Sequence, residues 1–587
     1  MATAALTCVI ALSSLLLGAS AQAAGDSARA WGYNAYGQLG SGTTADSSTP
    51  APVTGLSGAV AVAAGERHTL ALLANGTVMA WGRNNDGQLG NGSSTGPDSC
   101  SGFPCSKTPI PVSGLTGVVA VAAGNNNSLA LRSNGTVVAW GANFSGQLGN
   151  GNSTGPQTCG SDPCSTTPVP VGGLTGVLAI VAGGSHNLAL LSNGTVKAWG
   201  QNSDGQVGNG QTGPNSCGGT PCSTKPTAVG GLARVMAVAA GKHHSLALLP
   251  SGTLRAWGWN LYGQLGNGNN TGPDSCGGDP CSQKPLAVGG LTGVVSIAGG
   301  QYQSVAVRSN GTAQAWGGNL FGQLGDGTTT DSSKPVPITG LSGIAGVGGG
   351  SGHSLALLRD GTARAWGGNS VGQLGNGNNT GPEDCSGTPC SKTPIAVNSL
   401  SSATAIAVPS NDRYNVALVG PSRLLRVLLA GAGKGVVGGV GILCPLSCAH
   451  RYPQASPVSL VARAAVGSAF AGFSGACKGT APCRVRLGTD QSVTATFGRP
   501  KGTRITKARI KKRKGAATFR FTAPGAITGF QCALVKRQPH KNQKPHFSKC
   551  RSPKKYQHLE KGDYTFQVRA LDIVGADRSP ARKKFTI

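Results

Sequence analysis

The sequence predicts an all-β protein: a seven-bladed β-propeller closed by pairing of its N- and C-terminal strands, followed by two small β domains. Three observations predict it. The phrase W-G-x-N-x-x-G-Q-[LV]-G recurs seven times, starting at Trp31, Trp81, Trp140, Trp199, Trp257, Trp316 and Trp366. Short apolar runs separated by glycine punctuate the same region, as strands do. The 95 glycines among 587 residues follow no three-residue period, which indicates many tight turns and not collagen.

The first 23 residues read as an export signal. An apolar run spans about Leu6 to Leu17 and Ala21-Gln22-Ala23 forms a cleavage site, although no Lys or Arg precedes the run. A dozen apolar residues is too short to cross a bilayer, and no later segment is apolar enough to do so. The expected location is therefore secreted, extracellular or attached to a bacterial cell envelope.

Residues 24–420 carry the repeat, with Trp-to-Trp intervals of 50, 59, 59, 58, 59 and 50 residues. Six copies are preceded by a second phrase, such as "AVAAGERHTLALLANGTVMAWG" from Ala61. Its pieces read as strands, and the pairs Asn75-Gly76, Asn134-Gly135 and Asn193-Gly194 between them suit hairpins that need positive φ. A four-stranded unit of about 50 residues that stacks on its neighbours is a propeller blade. The first motif, at Ala30-Trp31-Gly32, lacks preceding strands, whereas "AIAVPSNDRYNVALVG" from Ala405 to Gly420 lacks a following Trp-Gly. Together the two halves make one blade and close the ring.

The phrases G-x-x-H-[ST]-x-A-L, N-G-T and W-G-x-N-x-x-G-Q-L-G, over about residues 25–420, resemble the regulator of chromosome condensation repeat family. The resemblance implies a seven-bladed propeller. By analogy it also raises guanine-nucleotide exchange on a small GTPase, but no exchange residue transfers to a position of this chain.

Seventeen cysteines leave sixteen once Cys8 is removed with the signal. They fall into neighbours: Cys100/Cys105, Cys159/Cys164, Cys217/Cys222, Cys276/Cys281, Cys385/Cys390, Cys444/Cys448, Cys477/Cys483 and Cys532/Cys550. An even set in an exported chain reads as disulfides. Zinc is the alternative, but each pair supplies two ligands where a structural site takes four. The first five pairs accompany a nine-residue insertion, so they are expected to staple Gly/Ser/Asn-rich loops lacking a core, emerging from one face of the disc. Phe103 is the only aromatic in those loops.

His68, His186, His244 and His353 occupy one repeat position, with Asn127 and Gln303 at others. Such recurrence in register with a structural motif points to buried hydrogen bonding and away from a metal ring; the seven motif tryptophans likewise read as blade packing. "GAGKGVVGG" at Gly431 lacks the spacing of a phosphate loop and reads as a glycine turn. No catalytic, cofactor-binding or metal-ligating set emerges, and no cofactor is expected.

The next domain, residues 421–498, opens on a Pro421-Ser422 linker. Its phrases "LLRVLLAGAGKGVV", "CPLSC" and "VSLVARAAVGSAFAGFSGACKG" within 423–498 resemble a divergent internalin B-repeat, an extracellular bacterial β module, with Phe473 where such modules often show Trp. Residues 499–587 look like a small immunoglobulin- or fibronectin-type sandwich. They hold 24 Lys/Arg against 4 Asp/Glu, most of the chain's net charge of +29. That balance suits an anionic envelope polymer; without interleaved stacking aromatics, nucleic acid is the weaker expectation. The leading functional expectation is a non-enzymatic binding scaffold presenting its loops to a protein or glycan. Besides nucleotide exchange, the alternative is protein inhibition of an enzyme such as a β-lactamase.

Overall fold

The repeat folds as its turns dictate. Ala59–Ala64, His68–Leu73 and Val78–Arg83 pair antiparallel in chain order, and Phe103–Pro111 pairs on the far side of Val78–Arg83. In the hairpin between the second and third strands, Asn75 Oδ1 accepts from Thr77 N at 2.9 Å while Gly76 takes φ +89°. Asn134, Asn193, Asn310 and Asp360 repeat the arrangement, so the N-G-T phrases are turn chemistry.

The chain is described by a computed structural model covering residues 27–587, except 432, 466–467, 499–502, 524–528, 538–544, 573–574 and 577–579. The export segment expected at residues 1–23, with Cys8, lies outside the described residues. Among the described residues there is no α-helix, only a 3-10 turn at Lys512–Lys514. Among the described residues no helix is long and apolar enough to cross a membrane.

Seven antiparallel sheets fill residues 27–419. The innermost strands, Ala59–Ala64, Val118–Ala123, Val177–Ala182, Ala237–Ala240, Val294–Gly299, Ile344–Gly349 and Ala403–Ala407, each contact the next, and the last contacts the first. They are built from Ala, Gly, Val and other small residues because they crowd round one axis. Their neighbours, such as His68–Leu73, are buried along almost their whole length, which explains apolar runs that do not alternate.

The closing sheet joins the two ends of the ring-forming region. Ser27–Gly32 lies between Ser47–Pro52 and Tyr414–Val419, with Trp31 opposite Asn415. Ala403–Ala407 completes that sheet on the inside.

The cysteine-bearing insertions correct one expectation. They are not coreless loops: each adds a fifth, outermost strand to its sheet, as Asp98–Cys100 does on Phe103–Pro111. The closing sheet and the sheet beginning at Val294, which lack the insertion, stop at four strands. Cys100 and Cys105 are buried, so the sulfurs themselves form a small core for the rim hairpin.

Ser422–Ala430 follows the ring two residues after its last strand, leaving no loose linker at Pro421-Ser422. Two four-stranded sheets formed within residues 422–498 enclose Leu425, Val427, Leu460, Phe473, Val493 and Phe497. Gly433 N bonds to Phe497 O and Gly435–Gly439 forms a strand, so this part of the glycine run leads into a strand. Residues 503–587 form two further sheets around Phe519, which stacks on Phe566 at 4.1 Å between ring centroids.

Residues 422–498 sit on the end of the ring that carries the Asn-Gly turns and the starts of the inner strands. Arg234 Nη2 donates to Ala464 O at 2.6 Å and Arg463 Nη2 to Val235 O at 3.2 Å. Ser456 Oγ donates to Val60 O, and Arg486 to Ala74 O. Leu443 and Val461 share one apolar cluster with Met236, Leu246 and Leu248.

Candidate functional site

Each motif tryptophan is fully buried and donates its Nε1 to the motif glutamine of the preceding sheet. Trp81 bonds to Gln38 O, Trp140 to Gln88 O, Trp199 to Gln147 O, Trp257 to Gln206 O, Trp316 to Gln264 O and Trp366 to Gln323 O, all at 2.9 Å. Trp31 completes the circle on Gln373 O at 3.1 Å. The same carbonyls accept a second bond from the residue after the histidine position: Thr69, Ser128, Asn187, Ser245, Ser304, Ser354 and Asn415. The glycine ending each Gly-Gln-Leu-Gly lets the backbone pass the indole; at Gly40, φ +68°, an added Cβ would lie 2.8 Å from Trp81 Nε1.

The histidine position makes the next link. His68 Nε2 meets Ser128 Oγ, His186 meets Ser245 and His244 meets Ser304, at 2.8–2.9 Å, while His353 meets Asn415 Oδ1 at 2.9 Å. Asn127 donates to Asn187 Oδ1, and Gln303 to the carbonyls of Gly350 and His353. Burial pushes the imidazoles of His68, His186 and His244 down to about 3 and that of His353 to about 4, so they are neutral. Each ring packs close against a glycine three residues earlier; at Gly65 a Cβ would lie 2.4 Å from His68 Cε1. Among the described residues no three His, Cys, Asp or Glu side chains gather as a metal site.

Cys100–Cys105, Cys159–Cys164, Cys217–Cys222, Cys276–Cys281 and Cys385–Cys390 are bonded, with Cα separations of 5.8–5.9 Å. Cys444–Cys448, Cys477–Cys483 and Cys532–Cys550 are bonded at 4.4, 5.7 and 5.8 Å. The tips of the five rim hairpins lie beside the W-G-x-N-x-x-G loops: Ser101 Oγ donates to Ala35 O. In those loops a buried asparagine pins the backbone, as Asn34 does by accepting from Leu39 N and donating to the carbonyls of Thr43 and Ala45. The intervening positions are therefore free to vary.

Some of those variable positions, with residues of the neighbouring loops, carry anchors that repeat-level reasoning did not group together. At the ring mouth, opposite residues 422–498, Tyr33 packs edge-on against Tyr36 at 6.3 Å, and Tyr36 meets Phe103 with centroids 6.0 Å apart. The Arg67 guanidinium lies 4.6 Å from the Tyr36 ring, Arg83 4.4 Å from Phe103, and Arg413 5.6 Å from Tyr33. Beneath them Asp412 is buried, accepting from Arg413 N and Gln38 Nε2; burial raises its carboxyl to about 7 against the pull of the Arg413 amide. The second patch lies across the mouth, on the sheets beginning at Ala237 and Val294. Trp259 packs edge-on against Tyr262 at 5.4 Å and His243 at 5.5 Å, and Tyr262 against Tyr302 at 5.0 Å. His243 Nδ1 pairs with Asp204 at 2.9 Å, and Trp259 Nε1 donates to Asp279 at 3.2 Å. Leu261 and Leu320 are exposed alongside. Aromatic residues and Arg in one polar-rimmed patch are the composition of interface anchors. Trp259, the one tryptophan outside the motif position, is the sequence feature that could have marked the second patch.

The description "Regulator of chromosome condensation (RCC1) repeat" matches residues 30–72 and 75–131, and "RCC1-like domain" matches 153–442. The chain is 32% identical over 309 residues to the ultraviolet-B receptor UVR8 of Arabidopsis thaliana, covering 52% of this chain and 63% of the receptor. It is 34% identical over 271 residues to the probable E3 ubiquitin-protein ligase HERC6 of Homo sapiens, covering 45% of this chain and 24% of the ligase. The chain thus spans less than two thirds of either relative. The solved structure of Prp20p from Saccharomyces cerevisiae, reported with its binding properties to Gsp1p and histones, aligns with a TM-score of 0.55 at 24% identity, over 68% of this chain and 92% of that one. Human WBSCR16 aligns with the same TM-score at 23% identity, over 68% of this chain and all of that one. At these identities the structures show the fold alone.

Proposed function

This chain carries RCC1 repeats and an RCC1-like propeller domain within residues 30–442, and from that premise we propose that it is a non-enzymatic scaffold binding a protein partner at the mouth of a seven-bladed ring. One observation carries the reading. Residues 422–498 cover the turn end of the ring, and among the described residues they make no contact with the other end, where the Tyr36–Phe103–Arg83 patch and the Trp259–Tyr262–Tyr302 patch face each other across the mouth. Aromatic and guanidinium anchors favour a protein over a glycan as the ligand. The binding of Gsp1p and histones by Prp20p supports the general idea that such rings hold proteins.

The finer reading divides the chain as a propeller through residue 420, an extracellular-type β module at 421–498, and a basic sandwich at 499–587 that retains the protein on an anionic envelope surface. Eight disulfides and the apolar leader support export from the reducing cytosol. The test is quantitative capture from the surface fraction of the producing cell with wild-type chain, W259S/Y262S, and N75S as a turn-end control. A partner held by wild type and N75S but lost by W259S/Y262S supports the mouth; equal capture by all three removes it.

A further inference from the structure

The outer face of the three-stranded sheet in residues 503–587 is uniformly cationic. Arg504–Lys511 pairs with Ala516–Thr522, which pairs with Lys554–Tyr556. Ile505, Ala508 and Ile510 turn inward against Phe519 and Phe566. The alternate positions Arg504, Lys507, Arg509 and Lys511 turn outward and are exposed, as are Arg520 and Lys555. A register shift between Ile505 and Lys507 keeps Arg504 on that outer face. Among the described residues none of these six cations has a carboxylate partner; the ion pair recorded in this part of the chain is Lys536–Glu560, elsewhere on the domain.

Lys507 stands directly opposite Arg520, a like-charge pair that destabilises a sheet. The face therefore lowers the stability of its own domain, and a bound anion relieves that cost. Outward positions recur about every 7 Å along a strand, and strands lie about 5 Å apart. Thr518 and Thr522 put hydroxyl donors between the cations. Such a flat, periodic array suits an extended polymer with an anion on each unit. The aromatics of these strands, Phe519, Phe521 and Tyr556, pack into the core, so the face offers nothing on which a base could stack.

We infer that this face cradles a linear phosphate polymer without bases. It deepens the reading of residues 499–587 as the anchor to an anionic surface and rests on it. Phosphate oxygens accept from Arg and Lys, and from threonine hydroxyls, without any demand on sequence.

The experiment measures binding of the full chain to long-chain inorganic polyphosphate as a function of salt. Replacing Lys507, Arg509, Lys511 and Arg520 together by Gln should lower affinity at least tenfold in physiological salt. The slope of log K against log salt should shrink by about 3, at roughly 0.7 per phosphate contact. A control, R582Q/K583Q/K584Q, removes three charges from another strand and should leave the slope nearly intact. Equal binding by wild type and the quadruple variant, or an equal loss per charge in the control, overturns the inference. So does tighter binding, per charge, of oligothymidylate, polyglutamate or phosphatidylglycerol vesicles. The melting midpoint of the quadruple variant should equal or exceed that of wild type, which separates lost binding from lost folding. None of these residues lies at the ring mouth, so a failure here leaves the W259S/Y262S result standing, and the reverse.

Discussion

Tyr414 donates its hydroxyl to His68 O at 2.7 Å and lies 3.1 Å from Thr69 Oγ1, joining the last sheet of the ring to the first across more than three hundred residues of chain. It takes the place that His, Asn or Gln holds in the other six sheets, and reaches Gly65 O as well, at 2.9 Å. The seam is thus sealed by the same kind of link as every other junction, made with a longer side chain.

Y414F removes that donor while keeping the ring's volume, leaving buried carbonyls short of a partner. The expected cost is about 1–3 kcal/mol. Chemical denaturation of wild type and Y414F measures it. A loss of this size with an unchanged near-ultraviolet spectrum supports a sealed seam, and no loss shows that the seam does not depend on the hydroxyl.

The buried histidines set a pH dependence. His68, His186 and His244 titrate at about 3 in the fold and His353 at about 4, against 6.5 when exposed. Between those values the unfolded chain binds more protons, so their contribution is fully present above 6.5 and is lost as pH falls toward 4–3. Each histidine removes up to about 1.4 kcal/mol per pH unit in that window. Asp412, held up at about 7, acts with the opposite sign, costing stability as pH rises from 3.8 to 7. Four histidines outweigh one carboxyl, so the denaturation midpoint should fall from pH 6.5 to 4.5. H244Q, which installs the residue found at Gln303, should flatten that slope by about one proton.

Each rim bridge closes a loop of only six residues, so C217A/C222A should cost about 2 kcal/mol by chain entropy. The pairs sit in different sheets, so losses at Cys217/Cys222 and Cys385/Cys390 should add. Double and quadruple variants in one denaturation series check both the size and the additivity.

A chain ending at Gly420 uncovers Met236 and the apolar cluster it shares with Leu443 and Val461. Such a chain should bind an apolar dye and self-associate, and M236S should reduce both effects. A truncated chain that stays monomeric and dye-free would show that residues 422–498 cover no apolar surface of consequence.

The repeat made much of the ring legible. A motif that recurs seven times fixes seven junctions, and the split between Trp31 and Tyr414 follows from which half each end lacks. The histidines recur in register with the scaffold, and in the structure each makes the same link to the next sheet, which is what packing produces. The mouth patches were hidden for the complementary reason. Tyr36, Arg67, His243 and Tyr302 occupy positions that the scaffold leaves unconstrained, so no period marks them, and their neighbours come from sheets far apart in sequence. The rim hairpins were misjudged because Gly, Ser and Asn composition suggests loose loops, whereas the buried sulfurs supply the missing core. Nothing in the local sequence of residues 422–498 announces that Arg463 and Arg486 reach across to Val235 and Ala74.

The central claim is that a partner enters at the mouth and not at the turn end. A photo-crosslinking amino acid installed at Leu261, beside Trp259, or at Val440, exposed within residues 422–498, tests it in the producing cell. The account predicts a discrete protein adduct from position 261 that disappears in W259S/Y262S, and none from position 440. The same adduct from position 440, with none from 261, would contradict it.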